Sequence, residues 1–246
     1  MWSMWNIAKR EFKASFISPL AYVVICLSLV LLGLFFFFVL GGGFWQADRA
    51  SLAQMFLWAP RFLAMVVVPV VTMRILAEEK RSGTLEMLIT LPVRDHEVIL
   101  GKFLGAWALV LVLILMTGLY PLLMFKWPWD LGALDRGPVL SGYLGLFLFS
   151  AAAVSIGLFF SAVTESQVIA FFVTWFVLVL FTFLGLATDQ LGMASVRDVV
   201  AYISFDARLA PFAKGMINTR DVVFFVSICF LSLMGSFWAL ERRKWA

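Results

Sequence analysis

Six runs of about 20 residues, each with few charges, govern what this chain can fold into. A helix rises ~1.5 Å per residue, so about 20 residues cross the ~30 Å of hydrocarbon in a bilayer. The runs are Pro19 to Leu40, Pro60 to Leu76, Ile99 to Phe125, Val139 to Ser161, Val168 to Ala187 and Val222 to Leu240. Of the 246 residues 63% are hydrophobic and 14% are charged. A soluble domain is about half apolar and a quarter charged, and a core of this length could not hide so much apolar surface. The sequence predicts an all-α membrane protein, one transmembrane domain over residues 1–246 with six transmembrane helices. Pro69 lies inside the second and shortest run, so a break or kink is expected there, with neighbouring helices serving the freed backbone group.

The charges set the orientation. Lys9, Arg10 and Lys13 precede the first run. Lys80, Arg81, Arg94 and Lys102 follow the second, with Arg74 just ahead, and Arg242, Arg243 and Lys244 follow the sixth. The other side carries Arg49, Arg61, Lys126 and Arg136, with four more basic residues between Asp189 and Asp221. The excess puts both termini in the cytoplasm of a multi-pass inner-membrane protein. The net charge of +4 is thereby explained by orientation, and no basic and aromatic patch on a polar face points to nucleic acid. The first run exceeds a usual signal-peptide core and lacks a small-x-small cleavage site, so a retained first span is expected. Cys26 and Cys229 both lie inside apolar runs and read as small buried hydrophobes.

Ahead of the first span, Trp2, Trp5, Ala8, Phe12 and Phe16 recur at helical spacing, with Asn6, Lys9, Arg10 and Lys13 opposite. This reads as an amphipathic helix over residues 2–16 in the cytoplasmic interface, with Ser18 and Pro19 breaking it from the span. The loop from Asp189 to Asp221 is too long to be structureless. Val196, Val199, Val200 and Ile203 form one helical face there, and Leu209, Phe212 and Met216 suggest a second helix. Both are too short to span; they either re-enter the membrane under cover of protein or lie flat on its surface. Gly142, Gly145, Ser150, Ala151, Ala152, Ala153, Ser155, Gly157 and Ser161 in the fourth run, and Gly101 and Gly105 in the third, mark close helix packing, within one subunit or across a dimer.

Catalytic chemistry is sparse. The chain has no Walker A sequence and so no means of its own to bind ATP. Its one histidine, His96, reads as a solvated loop residue, which leaves no Ser-His-Asp set and no metal-ligand spacing. The span interiors carry too few ionisable groups for a proton- or ion-coupled carrier. The segment with most information is the cytoplasmic loop 77–98. Thr84 is placed to cap a short helix, Glu86 lies in its first turn, Leu85, Leu88 and Ile89 form its apolar face, and Pro92 ends it. Charges flank a short amphipathic helix there. It suits docking into a partner's groove, and equally a solvated loop held at the membrane surface.

The runs Pro69-Val70-Val71-Thr72-Met73-Arg74 and Ala77-Glu78-Glu79-Lys80-Arg81-Ser82-Gly83-Thr84-Leu85-Glu86 resemble ABC-2 type permeases, especially the GldF-like and NosY-like branch. Ser18-Pro19-Leu20-Ala21-Tyr22, Gly142-Tyr143-Leu144-Gly145-Leu146, Ser161 to Phe171, Lys214 to Asp221 and Leu240-Glu241-Arg242-Arg243 are similar to the same branch. Asp206-Ala207-Arg208 departs from it, where an aromatic or histidine-containing stretch is expected. The resemblance implies a non-enzymatic permease subunit that binds no cofactor itself. ATP and Mg would sit on a partner, a cytoplasmic ABC ATPase. It also implies a second permease subunit, the same or different, and an auxiliary membrane protein with a large external domain. The helix over 2–16 becomes an elbow helix and the loop helix a coupling helix, with Glu78, Glu79, Arg81, Gly83, Thr84, Leu85, Glu86, Leu88 and Pro92 as ATPase-coupling residues. The expected work is moving or extracting a hydrophobic or envelope-related substrate. The alternative is ATP-driven force transmission to an external partner, with nothing crossing.

Overall fold

Pro19 separates the first two helices. α1, Trp2–Ile17, stops at Ser18, and α2, Pro19–Leu34, starts on the proline, whose missing N–H costs nothing in a first turn. The computed structural model describes residues 2–39, 52–83, 95–125, 136–187 and 194–242. The readings made on Leu40, Arg49, Thr84, Leu85, Glu86, Leu88, Pro92, Lys126, Asp189, Arg243 and Lys244 lie outside the described residues. Among the described residues the chain is helical without strands, and six stretches are long and apolar enough to cross a membrane.

α2 runs on into a π turn, Phe35–Val39. The second span is a composite over Ala53–Arg81: α3, Ala53–Phe62; a π turn, Leu63–Val67; α4, Val68–Thr72; a turn; and α5, Ala77–Arg81. It does not start at Pro60, as the sequence reading has it, because Pro60 is tolerated inside α3. Arg61, counted above among the loop charges, therefore lies within this helix and is 6% exposed. The break expected at Pro69 takes the form of the π turn just ahead of it, where the Val68 N–H reaches back to the Leu63 carbonyl. The true interruption follows at residues 73–76. α6, Asp95–Met116, continues through a turn into α7, Leu119–Phe125. α8, Arg136–Val163, and α9, Gln167–Ala187, form the fourth and fifth spans. Two short helices follow, α10, Ala194–Ile203, and α11, Phe205–Ala213, before α12, Thr219–Glu241.

α1, α5 and the start of α6 meet at one end of the bundle, called here the near end; α10 and α11 pack at the far end. α8 is the axis, touched by α3, α4, α6, α9, α11 and α12. Over its most apolar stretch it buries 67% of its positions, whereas α12 buries 11%, so the core lies on the second to fourth spans. The first, fifth and sixth spans turn apolar side chains such as Phe172, Phe176, Phe230 and Leu231 outward, to meet lipid or another subunit.

The close-packing glycines are used within the chain. A Cβ on Gly101 or Gly105 would strike α1 at Ile7 or Glu11, 2.8 and 2.6 Å away. On Gly142 and Gly145 it would meet Phe56 and Phe212 at 2.5 and 2.9 Å. Gly157 is the tightest: a Cβ there would lie 2.2 Å from Oγ1 of Thr72, where α4 presses on α8. Overpacking costs about 1–3 kcal/mol. Gly157→Leu is expected to lose at least that much, measured as the thermal unfolding midpoint in detergent, while Leu144→Ala on an outward face changes it little.

Ser204 caps α11 by accepting from the Ala207 N–H, and Phe205 below it packs against Phe149 and Phe225, with ring centroids 5.8 and 6.0 Å away. Phe149 sits at mid-length of α8, so the turn between α10 and α11 reaches well into the bundle.

Candidate functional site

The near end is organised by the interruption at residues 73–76. Where a helix stops and restarts, backbone groups lose their regular partners and must find others. The Ser161 hydroxyl at the end of α8 accepts from both the Leu76 and Ala77 N–H groups, each at 3.1 Å. The Lys80 ammonium donates to the Ala162 carbonyl at the same helix end, where a cation also suits the helix dipole. The Ile75 carbonyl accepts from Lys102 of α6 at 3.1 Å.

Lys102 is 1% exposed. A buried ammonium costs several kcal/mol unless paired and hydrogen-bonded. Its three donors meet three acceptors: Oε1 of Glu79 at 2.7 Å, Oε1 of Glu11 at 3.1 Å and the Ile75 carbonyl. Gly101 and Gly105 flank it and let α1 come close enough for Glu11 to reach. One ammonium thus ties α1, α5 and α6 together, while Ser161 and Ala162 tie α5 to α8. A half-open cavity of about 290 Å³ adjoins this junction, lined in part by Glu11, Arg74, Glu78, Glu79 and Lys102.

The site residues expected from sequence fall into different settings. Glu79 points into the bundle on Lys102. Glu78 and Arg81 are exposed, and Glu78 faces Arg74 across 3.9 Å, a contact worth little between exposed groups. Gly83 has φ +72°, the left-handed conformation common just past a helix end, here after α5. Thr84, Leu85, Glu86, Leu88 and Pro92 follow it, outside the described residues. Sequence reasoning missed Lys102, Glu11 and Ser161 as a unit. The available signal was a lysine between two glycines inside an apolar run, an arrangement that demands a nearby carboxylate.

The far end holds two further buried pairs. Nη2 of Arg61 lies 2.8 Å from Oδ2 of Asp206, with its guanidinium 4.4 Å over the Trp58 ring. Nη1 of Arg208 lies 2.8 Å from Oδ1 of Asp221, and its Nε donates to the Tyr202 carbonyl. Asp206 and Arg208, which depart from the expected pattern, are thus what fasten α11 to the second and sixth spans. No group of three or more His, Cys, Asp or Glu among the described residues could hold a metal ion.

Residues 52–238 match the family described as "ABC-2 family transporter protein". Over 98 residues the chain is 32% identical to the inner membrane transport permease YhhJ of Escherichia coli K12 and of Shigella flexneri. That match covers 40% of this chain and 25% of each relative, so the shared segment spans a quarter of the relatives' length.

Proposed function

Because the chain belongs to the ABC-2 family of transporter proteins, we propose that it is the permease of an ATP-driven transporter whose ATP is hydrolysed on a separate cytoplasmic subunit. In this reading the near end faces the cytoplasm, α1 is the elbow helix, and residues 84–92 form a coupling helix seated in the ATPase. α10 and α11 are re-entrant helices under the outer face. A second permease subunit covers part of the apolar surface of the first, fifth and sixth spans. The assignment to the GldF-like and NosY-like branch, with an auxiliary membrane protein carrying a large external domain, belongs to the same proposal. So does a hydrophobic or envelope-related substrate.

The observation that carries the reading is the Lys102 junction. A segment that leaves α5 at Gly83 is fastened upstream to α1, α6 and α8 by Glu79, Lys102, Glu11 and Ser161. A push on residues 84–92 therefore reaches three helices at once and is not absorbed by a loose loop. Coupling requires this: two arrangements of a stiff element whose balance the ATPase biases. The test is recruitment. Leu88→Asp and Glu86→Arg are expected to abolish co-purification of the ATPase while the permease still inserts. Intact co-purification with both variants would contradict the docking assignment.

A second reading, force transmission to an external partner, draws on the far end, where Arg61–Asp206 and Arg208–Asp221 hold α11 across the bundle. A ligand-wide chamber between the two permeases in either nucleotide state would favour transport. Solid packing in both states would favour transmission.

A further inference from the structure

Two cavities, one at the far end and one deeper in the bundle, share one face of α12. The upper, about 890 Å³, is lined by Asp198 and Tyr202 of α10, Arg208 of α11, and Arg220 and Asp221 of α12. The lower, about 370 Å³ and almost wholly apolar, lies between α8, α9 and α12 beneath the turn that joins α10 to α11. Its α12 wall is Phe224, Ile228, Leu231 and Ser232. Residues three and four apart on a helix share a face, so Arg220, Phe224, Ile228 and Leu231 form one continuous stripe from the polar cavity into the apolar one. At the end of α10, Tyr202 lines the upper cavity and Ile203 the lower. The apolar wall from Phe224 to Ser232 rises about 12 Å at ~1.5 Å per residue, room for the upper part of a fatty-acyl chain along the membrane normal.

The polar cavity carries a matching charge pattern. The Arg208 and Arg220 guanidinium groups lie 4.3 and 4.7 Å over the same Tyr202 ring. Arg208 is 6% exposed, with Nε and Nη1 engaged by Tyr202 and Asp221, which leaves buried Nη2 without a hydrogen bond among the described residues. Nη2 is closed to the cavity, so Arg208 contributes its charge from behind the wall, and Arg220 is the guanidinium open to a ligand. Asp221 is taken by Arg208 and Asn218, whereas Asp198 is exposed at the cavity wall, one turn from Tyr202 on α10. Two guanidinium groups and a separate carboxylate complement a phosphate joined to an amine.

We propose that these cavities together bind one phospholipid with a phosphate and a primary-amine headgroup. The phosphate sits on Arg220, with the charge of buried Arg208 behind it, the amine on Asp198, and one acyl chain lies in the groove between α9 and α12. Arginine is suited to the phosphate because its planar fork bonds it bidentately. The assignment rests on membrane insertion alone and stands whether the chain transports, transmits or does neither.

Native mass spectrometry of the purified, delipidated protein tests it, with phosphatidylethanolamine, phosphatidylglycerol and glycerophosphoethanolamine added back in turn. The expected result is one tightly held phosphatidylethanolamine per chain, at least fivefold preferred over phosphatidylglycerol, with the chain-free headgroup held far more weakly. Arg220→Ala and Asp198→Asn, both at exposed positions, lower that occupancy several-fold with an unchanged unfolding midpoint. Ile228→Trp, which fills the groove, lowers it too. Equal binding of phosphatidylglycerol, equal binding of the chain-free headgroup, or full retention in Arg220→Ala would overturn the proposal.

Discussion

Lys102→Met is expected to lose about 1–3 kcal/mol of stability, because it takes the buried ammonium from between the half-buried carboxylates of Glu11 and Glu79, of which Glu11 keeps, among the described residues, only the exposed Arg10 at 3.4 Å. The Ile75 carbonyl loses a donor in the same step. The cost comes from two like charges left close together and not from any net strength of the ion pairs. Removing the carboxylates as well, in Lys102→Met with Glu79→Gln and Glu11→Gln, is therefore expected to restore most of the unfolding midpoint. Function separates from stability at this point. In the proposed coupling reading the neutral triple variant is expected to keep its fold and still recruit an ATPase through residues 84–92, while the tie from α5 to α1 is gone. ATP hydrolysis in the complex is then expected to continue without the work it normally drives. Full coupled activity in the refolded triple variant would mean that the ammonium is only packing.

Arg208→Met costs more, at the other end, because both partners there are buried. It strands Asp221, 5% exposed, without its guanidinium, and releases the Tyr202 carbonyl. Breaking a buried pair by removing one partner costs about 3–5 kcal/mol. The loss is expected to appear first as loosening of α10 and α11 from α12, because the remaining Arg61–Asp206 pair ties α11 only to α3. Limited proteolysis between Tyr202 and Ile217 should quicken before the spans unfold. Arg208→Met with Asp221→Asn should recover part of the midpoint; no recovery would show that the arginine acts by packing on Tyr202 and Phe224.

The spans were legible because a bilayer imposes one rule, about 20 apolar residues per crossing. The boundary at Ser18 and Pro19 was legible because a proline opens a helix more readily than it continues one. The start of the second span was not, since Pro60 looks like an opening residue and is in fact interior to α3. The ion pairs were hidden for a different reason. Arg61 and Asp206 are 145 residues apart in sequence, and Lys102 and Glu11 are 91 apart. A count of basic residues along the loops treats each as solvated, so Lys102 and Arg61 were read as topology markers when they are internal contacts. Glu79 lies in the segment that the sequence singles out for coupling, but local pattern cannot say that it turns inward to Lys102 while Glu78 and Arg81 turn outward.

The most direct measurement is the distance between spin labels on Lys9→Cys and Arg81→Cys, both exposed positions, in the assembled complex with and without ATP, after Cys26 and Cys229 are replaced. A third label at Ile217→Cys, exposed at the far end, supplies the reference. If the Lys102 junction carries the stroke, the Lys9–Arg81 distance holds constant between nucleotide states while both labels shift relative to Ile217. A Lys9–Arg81 distance that changes with nucleotide while Lys9 stays fixed against Ile217 would contradict it.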